Sequence, residues 1–528
     1  MTTSDGLGPE HPADAELARA ESARGEKAQA ETSGQIRGSG VLLAGRFLAV
    51  GANLLTQILI VRYLSRPEYG AFAYALSIVS LVGGLLALGF DRAISRFLPI
   101  FEERGEHARF FGTLFFVLGV IVGLGSAATI LFIGLQGWLV GRIVDDPLAI
   151  ALLAIMIVLA PLEAIDGVLT NLFAVFRATK VIFIRKFILN PGSRLLVVAI
   201  LVVTAQEVNF LAIGYVVSGV AGLLLYVTLV PGMLRRVGLL GHLRARQFKV
   251  PLREIASYTL PLLTMDLLIV SMGAVDAILL GALHGTEEVA ELRVVESAAR
   301  TNSLVFGTFA ILFTPLAARF FARNDRSAMR DLYWRTAAWM AVLSFPIFAL
   351  TFSLAEPVTV LLFEERYRSS GIILALLALG RYIDAAFGAN GQTIRIFGGI
   401  KETVLVNLVT IAIHITLALI LIPPFGALGA ALAVLITYVF YNVLKQAILQ
   451  RVTGIPAFER AYAPVYAAII VAAGVLALLE VAINPPFVVG LALAGTASLA
   501  VLMFGRRQLR IAEAFPELLR FPGSRWFK

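Results

Sequence analysis

Long apolar blocks separated by short polar stretches make up most of the chain. A helix needs about 20 mostly apolar residues to cross the hydrocarbon core of a bilayer. The blocks that reach this length predict an all-α membrane protein with about fourteen transmembrane helices. The predicted spans are 38–62, 70–98, 110–134, 149–174, 183–204, 209–231, 255–281, 292–318, 332–355, 370–393, 403–422, 426–448, 462–482 and 487–505.

The basic residues fall mainly in every second loop. With the first residues on the cytoplasmic side, roughly 31 Lys and Arg lie in inner segments and about 6 in outer loops, the bias of the positive-inside rule. Basic inner loops include 102–109, 176–186, 235–254 and 323–330. An even number of spans then predicts that both termini are cytoplasmic.

Composition agrees with a chain that uses lipid as part of its solvent. Of the 528 residues 59% are hydrophobic, against about 45–50% in soluble domains. The net charge of +9 is explained by topology, so no nucleic-acid partner is expected. There are no cysteines, and the five histidines form no HxxxH or HxH pair, so no metal and no cofactor are predicted.

The segments outside the spans are short. Residues 1–35 have no apolar run and predict a disordered cytoplasmic tail rather than a signal peptide. No loop has room for a soluble catalytic domain, and no GxxxxGK[ST] phosphate loop is present. Residues 506–528 mix basic and apolar side chains, which fits either an interfacial amphipathic helix or a solvated tail.

Two parts of the chain share one layout. Segment 56–80 leads to 94–116, and segment 275–300 leads to 313–335. Each copy has a span, a short outer loop with Glu near its end, a second span and a basic inner loop. Because the copies begin about six spans apart, they predict two parallel six-helix lobes around a central cavity. The predicted units are a first lobe at 36–231, a basic linker at 232–254, a second lobe at 255–450 and two further spans at 451–505.

Four segments in this order resemble the polysaccharide (Wzx-type) flippase branch of the multidrug/oligosaccharidyl-lipid/polysaccharide exporter superfamily. The last contains Pro-x-x-Gly-x-x-Gly-Ala-Ala, which is characteristic of the branch, and the resemblance covers roughly 38–505. One departure is "AELR" at 290–293, where Gly-x-Tyr is usual. The segments are "RYLSRPEYGAFAYA" (62–75), "VDAILLGALHGTEEVAELRVVESA" (275–298), "LALGRYIDAAFGANGQTIRIFGGIKETVLVNLV" (377–409) and "IPPFGALGAALAVLITYVFYNVL" (422–444).

The resemblance implies a non-enzymatic flippase that moves undecaprenyl-pyrophosphate-linked oligosaccharides from the inner to the outer leaflet by alternating access. It also implies a prokaryotic cytoplasmic membrane, a functional monomer, and a polysaccharide polymerase and co-polymerase as partners.

A carrier of a pyrophosphate needs cations facing a polar path, and Arg suits phosphate because its guanidinium is planar and always charged. Arg46 begins a polar stripe that continues through Asn53 and Gln57, which predicts a cavity lining. Arg300 lies beside Thr301 and Asn302 and is predicted to line the same cavity. Arg92 is predicted to meet the pyrophosphate near the cytoplasmic side.

Other intramembrane charges have structural explanations. Arg381 and Asp384 stand at i, i+3 and are predicted to neutralise each other. Arg194 follows a predicted kink at "LNPGS" and satisfies freed carbonyls there. Arg96 is close enough to the interface to snorkel, and Asp91 is predicted to be a partner inside its lobe.

Buried carboxylates are candidates for ion coupling, since they can carry protons or bind sodium. Asp276 matches the resemblance best, while Glu163 and Asp166 share one helix face, so that one of them is expected to stay protonated. Pairing with a nearby Arg is the alternative for each of these acids. The candidates are Asp276, Asp266, Glu163, Asp166 and Asp384.

Four functions compete. An oligosaccharide-lipid flippase is favoured by the arginines, while a drug or metabolite antiporter for cations would prefer acids in its cavity. A peptidoglycan-precursor flippase shares the expected form. A membrane enzyme is disfavoured by the short loops and by His414, which has no acidic neighbour at i±3 or i±4 and is predicted only to pack.

Overall fold

The computed structural model describes residues 45–87, 89–139, 145–244, 248–483 and 485–510. Within these ranges the chain is almost entirely helical and contains no strand. The predicted tail 1–35 and most of the segment 506–528 lie outside the described residues.

The described residues of the first half form nine helices and two short non-α turns. A π-helical turn, Ile184–Leu189, joins α7 to α8, and a 3-10 turn, Leu240–Arg244, follows α9. The helices are α1 (45–63), α2 (Arg66–Ala87), α3 (Phe90–Glu103), α4 (His107–Leu139), α5 (Pro147–Met156), α6 (Leu159–Val175), α7 (Thr179–Phe183), α8 (Asn190–Val203) and α9 (Val208–Arg236).

The second half begins after the linker and contains the longest helix, the 54-residue α17. The helices are α10 (Leu252–Leu283), α11 (Thr286–Arg300), α12 (Ser303–Ala322), α13 (Arg326–Ser353), α14 (Ala355–Phe363), α15 (Ser370–Ala386), α16 (Asn390–Ile396), α17 (Ile400–Thr453), α18 (Ala463–Ile483) and α19 (Phe487–Gly505).

Length and composition make this a multi-pass membrane protein. Ten helical segments of the described residues are long and apolar enough to cross a bilayer, or eleven when the bent pair in α12 is counted. One of the ten, α17, contains two predicted spans, 403–422 and 426–448. The predicted spans 38–62 and 255–281 coincide with α1 and α10, which are not among these segments. The total of fourteen therefore stays a prediction.

Local backbone chemistry explains where helices break. Gly89 has φ 67°, a left-handed conformation that favours glycine, and it separates α2 from α3. Gly426 has φ 54° and ψ −132° and kinks α17 immediately after Pro423 and Pro424. At the start of α13 the Asp325 carboxylate accepts from the backbone N–H of Ala328, and this bond lowers the pKa of Asp325.

The repeat is visible in the order of the helices. In the first copy α1 and α2 form a hairpin, α2 breaks into α3, and a short turn leads to α4. In the second copy α10 and α11 form the hairpin, α11 breaks into α12, and a short turn leads to α13. The division into two six-helix lobes stays a prediction, but the same broken second helix occurs in both copies.

The two copies pack directly against each other through α2, which contacts α10 and α11. At Gly70 the backbones come so close that a side chain there would collide with the carbonyl of Thr286. Further along, Gly84 faces Val270, and Gly89 faces Thr259. Small residues allow such close helix contacts in membranes, where van der Waals packing replaces the hydrophobic effect.

One end of the bundle carries both hairpins, and we call it the hairpin end. Here Arg62 donates to the carbonyls of Leu362 (3.1 Å) and Leu361 (2.5 Å), and Arg366 donates to the carbonyl of Val61. These reciprocal arginine–carbonyl bonds, which we call the latch, join the end of α1 to the end of α14. Arg66 adds ion pairs to Glu287 and Glu291 of α11. The hairpin end is therefore closed by contacts between the two halves of the chain.

Removing the latch arginines should open the hairpin end. In the double variant Arg62→Ala, Arg366→Ala, a cysteine introduced at the buried position Ser370 should react roughly tenfold faster with a water-soluble maleimide. Hydrogen bonds from charged donors each contribute about 1.5–3 kcal/mol, so their loss favours the open hairpin end. The chain has no native cysteine, so labelling is specific. Arg368→Ala is the matched control, since Arg368 pairs with nearby Glu356 and Glu365. Equal labelling in both variants would contradict the latch.

Candidate functional site

The carboxylate of Glu296 in α11 binds three arginines. Arg300, one turn later, donates from Nη2 to Oε1 of Glu296 at 2.7 Å. Arg293, one turn earlier, pairs with Oε2 of Glu296. The guanidinium of Arg381, on α15, lies 3.6 Å from Oε1 of Glu296. We call Glu296, Arg293, Arg300 and Arg381 the Glu296 cluster.

The Glu296 cluster has an excess of positive charge. Three guanidinium groups and one carboxylate sum to +3 − 1 = +2. Arg293 and Arg381 are mostly buried, whereas the side chain of Arg300 is 61% exposed even though it is bound to Glu296. The cluster therefore presents an exposed guanidinium, backed by buried ones, to whatever occupies the space beside it. Such an arrangement suits an anion with several oxygens.

The polar stripe predicted on α1 is only partly assembled around this cluster. Gln57 donates its side-chain amide to the hydroxyl of Tyr69, which lies close enough to feel the charges of Arg293 and Glu296. Arg46 reaches the other half of the chain, where its guanidinium fills the space that a side chain at Gly307 would need. Asn53 is exposed, and no contact joins it to the cluster.

The predicted pairing of Arg381 with Asp384 is wrong. Arg381 turns to Glu296, and Asp384 instead accepts from Lys445 (3.2 Å) and Asn442 (3.1 Å), both on α17.

A second polar region is a cavity of about 600 Å³ between α2, α3, α6, α8 and α9, which we call the α6 cavity. Its charged lining residues are three acids and three bases, so its formal charge balances. Its volume is within the range of small-molecule pockets, about 300–1,000 Å³. The charged residues are Asp91, Glu163, Asp166, Arg185, Lys186 and Arg194.

Both acids of α6 are ion-paired in the α6 cavity. Glu163 binds Arg194 at 2.9 Å, and Asp166 binds Arg185 at 2.7 Å. Each acid thus has its own cation, and the prediction that one of the two stays protonated stays a prediction. The prediction that Arg194 satisfies backbone carbonyls is wrong, because its guanidinium faces Glu163 and lies 5.0 Å from the ring centre of Tyr215.

The π-helical turn positions Arg185, which the sequence did not single out. The side chain of Arg185 is 6% exposed and fills the space that a side chain at Gly222 would need. Such turns often occur at functional positions. This turn places Arg185 and Lys186 together in the wall of the α6 cavity.

The remaining candidates are on α3 and α10. Asp91 lines the α6 cavity, and its pairing inside the first lobe stays a prediction. Arg96 does not simply snorkel, because its guanidinium stacks 4.3 Å from the ring centre of Tyr258 in α10. Arg92, on α3, lies within electrostatic range of Arg395. Asp266 lies in α10, and its side chain lies outside what the structure describes.

His414 is more than a packed side chain. Its Nε2 lies 3.3 Å from Oδ1 of Asp276, and both side chains are at most 1% exposed. The search for an acid at i±3 or i±4 missed this contact because Asp276 is on α10 and His414 on α17. The coupling candidate Asp276 thus has a titratable partner, which we call the Asp276–His414 pair.

Glu296, the acid at the centre of the Glu296 cluster, was not predicted from the sequence. Glu296 stands at i+3 from Arg293 and at i−4 from Arg300, so its own helix held the signal. No local pattern signals the contacts of Arg185 or His414, which depend on packing between helices.

These helices form the fold of a membrane transporter. The solved structure titled "Lipid II flippase MurJ, inward closed conformation" matches with a TM-score of 0.65 at 14% identity, covering 91% of this chain and 99% of that one. An inward-facing MATE-family multidrug resistance transporter of the MOP superfamily matches with 0.60 at 14%, covering 79% and 99%. An outward-facing MATE transporter matches with 0.52 at 17%, covering 80% and 95%.

Sequence comparison identifies the family. Residues 36–313, more than half of the chain, match the family described as "Polysaccharide biosynthesis protein". The chain therefore belongs to this family of the MOP superfamily. No curated protein matches its sequence.

Substituting the shared acid should destabilise the protein. Glu296→Gln leaves three arginines without their carboxylate, and breaking a buried ion pair costs about 3–5 kcal/mol. We expect a clear drop in Tm of the detergent-purified protein. Glu365→Gln, which removes an exposed acid from Arg368, is the control and should leave Tm almost unchanged. Equal effects would show that Glu296 does not organise the cluster.

Proposed function

We propose that the protein is a flippase that carries an undecaprenyl-pyrophosphate-linked oligosaccharide across the cytoplasmic membrane of a prokaryote. The Glu296 cluster carries this proposal, because its charge of +2 and its exposed Arg300 suit the pyrophosphate. Membership of the polysaccharide biosynthesis family supports the same substrate class.

In this proposal the pyrophosphate competes for guanidinium groups that Glu296 already holds. Its oxygens bind Arg300 first, because that side chain is the most exposed of the three. Bidentate arginine–phosphate bonds replace part of the pairing with Glu296, while Glu296 keeps Arg293 and Arg381 oriented. Arg46 comes from the first half of the chain, so an anion that bridges Arg46 and Arg300 would draw the two halves together.

The sugars need a different surface. A glycan is rich in hydroxyl groups and gains from paired donors and acceptors rather than from net charge. The α6 cavity has this character, with balanced charges and amides from Asn171 and Asn190. Sugars that pass the α6 cavity would keep polar partners while the prenyl tail stays in lipid.

Alternating access supplies the movement. The latch closes the hairpin end, which the loop charges predict to be the outer face, so the described state would load from the cytoplasm. Breaking the latch and closing the opposite end of the bundle would then release the head group outside. The transport step requires no covalent chemistry.

Loss of the cationic residues should abolish export. In a host whose own flippase gene is deleted, Arg300→Ala and Arg46→Ala should lower surface polysaccharide by at least about tenfold at equal protein level, as expected from losing one charged hydrogen bond of 1.5–3 kcal/mol. Arg368→Ala is the matched control, since this exposed arginine lies outside the cluster. Normal export by both cluster variants would remove the pyrophosphate assignment.

Ligand binding distinguishes the proposed flippase from a drug antiporter, and a cell assay distinguishes it from a peptidoglycan-precursor flippase. Undecaprenyl pyrophosphate bearing a sugar should raise the Tm of the parent protein but not of Arg300→Ala, whereas a lipophilic cation should leave both unchanged. Stabilisation by the cation alone would favour an antiporter. Cells that depend on this protein for peptidoglycan, but not for surface polysaccharide, would favour the precursor flippase.

A further inference from the structure

A further cavity lies at the start of α13, and it shares no lining residue with the α6 cavity or with the Glu296 cluster. Its volume is about 490 Å³, within the range of small-molecule pockets. Three parts of the chain line it: the first turns of α13, the segment around the 3-10 turn Arg460–Tyr462 before α18, and the residues 507–510 after α19. We call it the α13 pocket.

The α13 pocket lies where three apolar helices begin or end. α13 starts at Arg326, α18 starts at Ala463 and α19 ends at Gly505, which places the pocket at the level of lipid head groups. This end of the bundle is opposite the hairpin end, because α13 leads away from the pocket toward α14 and the latch. The loop charges predict that it faces the cytoplasm, where anionic lipids give the leaflet a negative surface potential.

The charges of the α13 pocket leave one arginine without an acid. The charged lining residues are three arginines and two acids, so the formal charge is +1. The carboxylate of Glu459 accepts from Nε of Arg330 at 2.6 Å. Asp331 pairs with Arg335, which is 3.6 Å away on the same helix. Both acids therefore have a base, whereas no described acid pairs with the exposed Arg507. The pocket is suited to an anion that binds a guanidinium.

Aromatic side chains line the α13 pocket and include a hydrogen-bond donor. The rings of Trp334 and Tyr462 stack with their centres 6.5 Å apart and 19° between their planes. Trp334 is only 6% exposed, yet its indole N–H has no hydrogen-bond partner among the described residues. Trp339 of the same helix differs, since its indole N–H donates to the carbonyl of Leu509 at 3.2 Å. Because buried donors are normally satisfied, an acceptor such as a phosphate oxygen would complete the site.

An apolar surface adjoins the α13 pocket on the last two helices. Phe504 stands three residues before Arg507 and is exposed, as is Leu499 further along α19. On α18, Ile470 and Val471 are exposed as well. A soluble anion would use the charges alone, whereas a phospholipid would place its head group on the arginine and its acyl chains on these side chains. The combination of a cationic pocket and an apolar flank therefore favours a lipid.

We propose that the α13 pocket binds the head group of an anionic phospholipid of the cytoplasmic leaflet, with Arg507 at the phosphate and the acyl chains along α19. Basic pockets between transmembrane helices bind such head groups at this side of membranes. A bound head group would join α13 to the segments that flank α18 and α19, and so hold the last two helices on the bundle. The proposal does not rest on the proposed flippase function, because it uses no residue of the Glu296 cluster or of the α6 cavity.

Lipid affinity tests this assignment. The full chain in a neutral detergent is titrated with phosphatidylglycerol or with phosphatidylcholine of the same acyl chains, and bound lipid is counted by native mass spectrometry. We expect the Kd of phosphatidylglycerol to be about fivefold lower than that of phosphatidylcholine, the attraction that one arginine near a membrane surface provides. Phosphatidylglycerol should also raise the Tm, since it joins elements that otherwise separate on unfolding.

Arg507→Gln should remove the preference for the anionic lipid. The side chain of Arg507 has no partner among the described residues, so the variant should keep the Tm of the lipid-free parent. Its affinity for phosphatidylglycerol should fall about fivefold, while that for phosphatidylcholine stays unchanged. Arg326→Gln is the matched control, because it removes the same charge from an exposed position one turn before Arg330 that does not line the pocket. This control should bind phosphatidylglycerol as the parent does.

Other results would overturn the proposal. Equal affinity of the parent for the two lipids, or equal losses in Arg507→Gln and Arg326→Gln, would show that the pocket does not select an anionic head group. Inorganic phosphate that raises the Tm of the parent as much as phosphatidylglycerol does, but not the Tm of Arg507→Gln, would assign the pocket to a soluble anion. A preference for phosphatidylglycerol that appears only in a variant ending at Arg510 would show that the residues after 510 occupy the pocket.

Discussion

The attraction between one carboxylate and three guanidinium groups determines much of this structure. In an apolar bundle an arginine is tolerated when its charge is paired or faces a polar space. Glu296 meets that condition for Arg293, Arg300 and Arg381 at once, and it joins α10, α11 and α15 in doing so. Because one acid serves three bases, the site stays assembled and still keeps an excess of positive charge for a ligand.

The sequence could predict what depends on local properties. Apolar length located the helices, and charge within apolar blocks located Arg300 and Arg381. The sequence could not predict which helix faces which. It therefore wrongly pairs Arg381 with Asp384 within α15 and assigns Arg194 to backbone carbonyls. Glu296 could have been found from its spacing to Arg293 and Arg300, whereas His414 could not, because Asp276 belongs to a distant helix.

In the proposed function, the two polar regions meet different requirements of an amphipathic substrate. The Glu296 cluster offers net positive charge, and the α6 cavity offers balanced polarity. A single cavity with both properties would pair its own charges and lose the excess. Keeping the acids of α6 bound to Arg185 and Arg194, away from Arg300, maintains the difference.

The latch has a property that follows from its acceptors. Arg62 and Arg366 donate to backbone carbonyls, and neither guanidinium nor carbonyl changes its protonation at physiological pH. Its strength is therefore nearly constant as pH varies, unlike a closure made of carboxylates or histidines. A chemical signal that opens the hairpin end therefore has to act on its other contacts, such as the carboxylates of Glu287 and Glu291 that pair with Arg66.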